Sequence, residues 1–220
     1  MRHCPAGAIL AAVVTVLAAC THTVDGTATW PGARLTGVLL TIRDFPAGVQ
    51  FDRIVEDRGA GPGGGAPPMM SSPAGCADAL TKVIGDDAER GPGAAVKYVV
   101  AYDGARMVMT VLTSNLDMPR LSAAADRCSW YHTFFDPAEP GIPITTTRIA
   151  TDRPDALAYR QTMTLRGVDH SVYFSFENVG DMAVFGLALP TPNPAIPVKG
   201  TLPQTFLDIA DKQAQRMRTR

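Results

Sequence analysis

No stretch of this chain is long enough to settle comfortably across a bilayer, which takes about 20 apolar residues. The best run, Ala6 to Ala19, is shorter and carries Thr15 within it. Aromatic residues make up only 7% of the chain, and lysine is scarce, at 4 residues against 16 arginines. The formal charge is −1, so the chain projects no strong field for polyanions and nucleic acid is not an expected partner. Catalytic signatures are missing as well. Neither G-x-S-x-G nor H-E-x-x-H occurs, and the glycine-rich stretch GPGGGAPP lacks the lysine and the strand-to-helix setting of a phosphate-binding loop. His132 and His170 have no neighbour at metal-ligand spacing. Asp169-His170-Ser171 contains the residue types of a hydrolytic triad, but sequence neighbours point different ways whereas triad groups converge, and the segment reads as a solvated turn. No catalytic residue, cofactor or metal is expected.

The start of the chain is more informative. Arg2 precedes the apolar run, and small residues close it, the pattern of an export signal. Leu17-Ala18-Ala19-Cys20 resembles the bacterial lipobox, in which the cysteine thiol is acylated and becomes the first mature residue. That resemblance implies a signal peptide over residues 1–19, a lipid anchor on Cys20 and residence on the outer side of the cell membrane. Two acyl chains suffice for stable anchoring, at about 0.8 kcal/mol per buried methylene. No charged stop-transfer cluster follows, since THTVDGTATWPG is neutral apart from Asp25. Loss of Arg2 with the signal leaves a formal charge of −2. Residues 20–36, threonine-rich with Gly26, Pro31 and Gly32, read as a flexible tether. Abundant Ala, Gly, Pro and Arg suggest a GC-rich genome such as that of an actinobacterium.

Residues 37–220 are enough for one domain with its own core. Within it, residues 58–75 are too rich in glycine and proline for regular structure and read as a long loop, whose Met69 and Met70 could plug the core edge or form an apolar lid. Val49 to Val55 predicts a strand. Ser72 predicts the cap of a helix from Pro73 to Ile84, and Asp117 with Pro119 opens a second, with Leu121, Ala125, Cys128 and Tyr131 on one face. Alternation from Val96 to Val100 and back from Met107 to Val111 around Asp103-Gly104 predicts a hairpin with a primed turn. Further strands are predicted over residues 144–150, 157–166, 172–177 and 182–189. A final helix follows the proline-rich segment, with Thr201 and Gln204 at capping-box spacing and Phe206, Ile209, Ala210 and Met217 on its apolar stripe. Its basic end, Lys212, Arg216, Arg218 and Arg220, suits the helix dipole better than it suits anionic lipid.

These elements define an α+β fold, an antiparallel sheet of six or seven strands with helices packed on one face. With Cys4 discarded and Cys20 acylated, Cys76 and Cys128 remain in an oxidising compartment and are expected to pair. The layout of lipobox, tether and two half-cystines on helices resembles the small envelope lipoproteins of mycobacteria, and in particular the PknH-like group related to the extracellular sensor domain of a mycobacterial serine/threonine kinase. The resemblance implies ligand sensing or binding at the envelope. Sensor domains of that type are expected to carry two disulfides, whereas only Cys76 and Cys128 would remain here after acylation of Cys20. The sheet face away from the core is expected to gather Arg106, Thr110, Arg160, Thr162, Thr164, Arg166, Tyr173 and Ser175, of which Arg160, Thr162 and Tyr173 are the candidate ligand surface for a sugar or an anionic head group. A non-catalytic binding module, with an envelope glycan, lipid or protein as partner, is thus the first functional expectation. A carrier of lipid or glycolipid in an apolar cavity is the second, and an extracellular hydrolase the third. Replacing Cys20 with alanine should abolish metabolic acyl labelling and block processing between Ala19 and position 20; a variant still labelled and cut at that bond would overturn the anchor.

Overall fold

The computed structural model describes residues 31–54, 69–82, 84–85 and 93–219. The export signal, Cys20, the first part of the tether and residues 58–68 of the expected loop lie outside the described residues. Residues 31–36, expected within the tether, form most of a helix α1 (Pro31–Val38) whose Leu35 is fully buried. A 3-10 turn at Ile42–Asp44 leads into strand β1 (Gln50–Ile54).

Eight further strands follow: β2 (Met70–Ser72), β3 (Ala95–Tyr102), β4 (Gly104–Leu112), β5 (Trp130–Phe134), β6 (Ile142–Ile149), β7 (Ala156–Leu165), β8 (Val168–Val179) and β9 (Met182–Thr191). They form one antiparallel sheet in the order β1-β3-β4-β9-β8-β7-β6-β5-β2. The fold is α+β, but the sheet has nine strands rather than six or seven. The two additions are β2, inside the segment expected to be loop, and β5, whose Tyr131 was expected on the preceding helix. Helix α2 (Met118–Arg127) is capped by Asp117, whose side chain accepts the Arg120 N–H at 3.0 Å, and ends at Cys128. Helix α3 (Gln204–Arg218) closes the chain.

Helices cover both faces of the sheet, not one. Directly paired residues share a face and neighbours along a strand alternate, so Val184 and Phe185 look in opposite directions. Val184 joins Met107, Met109, Tyr98 and Val100 in a core closed by Leu35 and Val38 of α1 and by Phe206, Ile209 and Met217 of α3. Phe185 joins Phe174, Phe176, Leu157 and Tyr159 in a second core closed by Leu121 and Ala125 of α2 with Leu80 and Ile84. Rings 185 and 176 stack with centroids 5.3 Å apart.

Local chemistry departs from expectation at four points. The helix predicted from Pro73 to Ile84 is a series of turns with one short helical stretch near Ile84, because Ser71, not Ser72, binds the chain there: its Oγ accepts the Cys76 and Ala77 N–H groups at 2.8 and 3.2 Å. The 103–104 turn has positive φ at Gly104 only, the pattern of type II rather than of a primed type I turn. Asp103 is held extended by a parallel bridge to Lys199, and a Cβ at Gly104 would stand 2.7 Å from the Gly200 carbonyl oxygen. The capping box of α3 does not form; the Thr205 hydroxyl accepts the Thr201 N–H at 2.9 Å, and the Gln204 amide turns to Asp208. Asp169, His170 and Ser171 lie within β8, and the turn precedes them at Arg166-Gly167.

Cys76 and Cys128 are disulfide-bonded with Cα atoms 5.4 Å apart, and both are buried against Tyr131. The bond ties the turn after β2 to the end of α2. Closing 52 residues of separation stabilises a domain by about 4 kcal/mol on the chain-entropy model. The Cys76→Ala/Cys128→Ala double variant should therefore lose about 2–4 kcal/mol in urea unfolding, and an unchanged midpoint would show that the crosslink contributes nothing.

Candidate functional site

Register decides which polar side chains meet. Thr147 pairs with Arg160 and Arg160 with Tyr173; Trp130 pairs with Thr145, Thr145 with Thr162 and Thr162 with Ser171. All share the face on which α1 and α3 pack. Those helices make their main contacts with β3, β8 and β9, and Ile149 of β6 and Ala158 of β7 are drawn in beside their core, so among the described residues the open part of this face lies on β2, β5 and the stretches of β6 and β7 around Thr145 and Thr162. Trp130 is 56% exposed there, Met70 41%, and Thr145, Thr147 and Arg160 are exposed as well. The Thr162 and Ser171 hydroxyls lie 3.2 Å apart, and Thr164 donates to Asp169 at 2.7 Å.

Of the three candidate ligand residues, Arg160 and Thr162 belong to this open surface. Tyr173 does not: it is 9% exposed and packs into the core beneath α3. Arg106 and Thr110 pair with Leu189 and Phe185 and therefore occupy the opposite face. Arg106 borders a hollow of about 280 Å³ with Gln50, Asp52 and Asn193 instead, while Thr110 is buried. The aromatic ring of the open surface is Trp130, which composition alone did not single out. Its signal was the alternation in Trp130-Tyr131-His132-Thr133-Phe134 directly after Cys128, masked by the helical spacing of Leu121, Cys128 and Tyr131. Trp130 sits edge-on to His132, ring centroids 4.6 Å apart. On the reverse face of β5, Tyr131 is buried and its hydroxyl is pushed up to about 12 by loss of solvent.

Asp169, His170 and Ser171 do not converge. Their partners on β7 are Thr164, Met163 and Thr162, so His170 faces away from the other two. Among the described residues no three His, Cys, Asp or Glu side chains group to hold a metal ion, and no helix is long and apolar enough to cross a membrane.

A second concavity, about 520 Å³, opens between α1, the β8–β9 turn and the end of α3. Val38, Val179, Met182 and Met217 give it an apolar lining. Arg34 crosses its rim to Asp181, with Nη1 to Oδ2 at 2.7 Å, and that bond holds the exposed Asp181 carboxyl below its usual range. Nearby, Glu177 is 2% exposed and receives Arg218 of α3 and, at 2.8 Å, Arg153. Burial pushes its carboxyl upward against the pull of the two guanidinium groups. The basic side chains described on α3 have internal partners too: Arg216 reaches Asp44 at 2.7 Å, and Lys212 donates to the Asp44 carbonyl, while Arg220 lies outside the described residues.

No protein-family model and no curated protein sequence matches the chain. Among solved structures it is similar to an uncharacterised protein of Mycobacterium smegmatis, with a TM-score of 0.50 and 13% identity over 86% of this chain and 95% of that one. At this identity the likeness concerns the fold alone. Substitution should separate surface from core: Tyr173→Ala should cost about 3 kcal/mol, as for other buried rings, and Trp130→Ala less than about 1 kcal/mol. Equal losses in urea melts would contradict this placement.

Proposed function

We propose that the protein is a binding module of the cell envelope, held to the membrane through a lipid on Cys20 and working through the open half-face of its sheet. The observation that carries this reading is Trp130, a large aromatic side chain 56% exposed at the start of β5. Burial of such a ring is favourable, and exposed apolar groups gathered on one surface mark interaction sites. Met70 and half-buried Phe134 extend the apolar edge beside it, paired directly across β2 and β5. The lipobox supports the anchor, and the resemblance to PknH-like envelope domains supports sensing or binding rather than turnover.

Carriage of a lipid or glycolipid is the second reading. The 520 Å³ crevice favours it, being of ligand size and lined by Val38, Val179, Met182 and Met217. Against it stands the Arg34–Asp181 pair at the rim. Native mass spectrometry of the full-length protein distinguishes the two, since a co-purified lipid is expected only of a carrier.

Occupancy of the open face can be read without knowing the ligand. Hydroxyl-radical footprinting of intact cells should show Trp130 and Met70 oxidised several-fold less than in the purified protein, while Ile42, exposed elsewhere, is oxidised alike in both. Equal labelling of Trp130 in both settings would refute the proposal.

A further inference from the structure

The open half-face is poor in charge and rich in hydroxyls. Along its described strand positions stand one cation, Arg160, and one anion, Asp169. Acidic head groups and nucleic acids are held by several cations acting together, and this surface offers one. Hydroxyls both donate and accept, so Thr145, Thr147, Thr162 and Ser171 can match a ligand that is itself a mixture of donors and acceptors. Within the apolar edge Trp130 is the broadest and most exposed ring, and it carries a negative face. Such a face attracts the positively polarised C–H groups on the flat side of a pyranose. The edge-on contact with His132, 4.6 Å between centroids, sets the orientation of that ring before anything binds, which lowers the ordering cost of association.

The arrangement also has a direction. Trp130, Thr145, Thr162 and Ser171 pair in succession across four neighbouring strands. Adjacent strands lie about 4.8 Å apart, so the row presents one ring and three hydroxyls over about 14 Å, room for about three sugar units. We infer that the open face binds a neutral polysaccharide chain laid across the strands, with one pyranose stacked on Trp130 and the next units bonded to Thr145, Thr162 and Ser171. This assignment rests on the reading of the open face as the working surface and adds the class of ligand. Arg160, one residue pair away beside Thr147, gives a lateral donor to ring or hydroxyl oxygens.

Isothermal titration of the full-length protein, kept in a detergent without sugar head groups, against neutral gluco-, manno- and galacto-oligosaccharides from di- to hexasaccharide tests the inference. At least one series should bind, with affinity rising to about the trisaccharide and then levelling. Trp130→Ala should weaken that binding on the order of tenfold, a change of 1.4 kcal/mol, and Thr162→Val, which keeps the shape and removes the hydroxyl, should weaken it several-fold. Near-ultraviolet circular dichroism and urea melts of both variants establish that they are folded. Three results overturn the assignment: no oligosaccharide binds at millimolar concentration, Trp130→Ala binds as the parent does, or phosphatidylglycerol vesicles bind in a salt-sensitive manner where sugars do not. A parent protein that self-associates through this face, with Trp130→Ala monomeric, would also overturn it in favour of a second copy. If every sugar fails while Trp130 remains protected in cells, the glycan is wrong and the binding face stands; if protection is lost too, both fall.

Discussion

One close approach sets the rest of the structure: the Phe206 ring of α3 lies against the bare backbone of Gly186 in β9. A Cβ at position 186 would stand 2.7 Å from that ring and 2.5 Å from the Ser175 hydroxyl, closer than real contacts allow. Phe206 is fully buried there with Met107 and Val184. This seat fixes α3 over β8 and β9, the middle of the sheet. With α3 in the middle and α1 on β3, Trp130 of β5, Thr145 and Thr147 of β6 and Arg160 of β7 are left exposed on the same face among the described residues. The open surface is thus a consequence of where one glycine allows one ring to sit.

The same helix fastens the other end of the folded chain. Gln213, fully buried on α3, accepts the Leu40 N–H at 3.1 Å and donates to the Val38 carbonyl at 2.9 Å. It thereby satisfies one backbone group at the last residue of α1 and one just past it, which burial would otherwise leave without partners. Arg216 and Lys212 bind the Asp44 turn on the next part of the chain. Burial pushes the Asp44 carboxyl up, and hydrogen bonds from Thr41 and Arg216 more than reverse it, leaving it below the ordinary range. A depressed carboxyl of this kind stabilises the fold above its unfolded value and loses that contribution as acid titrates it. The beginning of the described chain and its end are therefore joined on the β1–β3 side, remote from Trp130 near the other edge of the sheet.

Charge on α3 shows how a single pattern can be read two ways. Lys212, Arg216 and Arg218 near a carboxyl terminus suit the helix dipole, and that reading needs no tertiary partner. In the folded chain Arg218 also enters the network of Glu177, Arg153 and Asp211. A guanidinium in such a setting neutralises a buried carboxylate. Glu177 is a charged residue in a strand whose neighbours Phe174, Phe176 and Val179 are buried, and only the arrival of α3 and Arg153 accounts for it.

The hairpin of β3 and β4, the cap of α2 at Asp117, the long pair β7–β8 and the apolar stripe of α3 were legible because each is written in local periodicity or in a side chain bonding its own backbone. The pairing of Cys76 with Cys128 was legible by elimination, although the helix expected to carry Cys76 does not form. Periodicity failed where two patterns overlap. Tyr131 satisfies the helical spacing of Leu121 and Cys128 and the alternation of β5 equally well, and burial beside the disulfide chose the strand. Alternation along the predicted strands placed Arg160, Thr162 and Tyr173 on one surface, and they do share a face, but which positions on that face are covered depends on α3, a contact far along the chain. By itself, then, the sequence determined the elements whose signals are local, the α+β class and the pairing of Cys76 with Cys128. The tertiary structure alone decided the strand count, the helices on both faces and the exposure of Trp130 against the burial of Tyr173, because register and long-range packing assign faces that no short stretch of residues encodes.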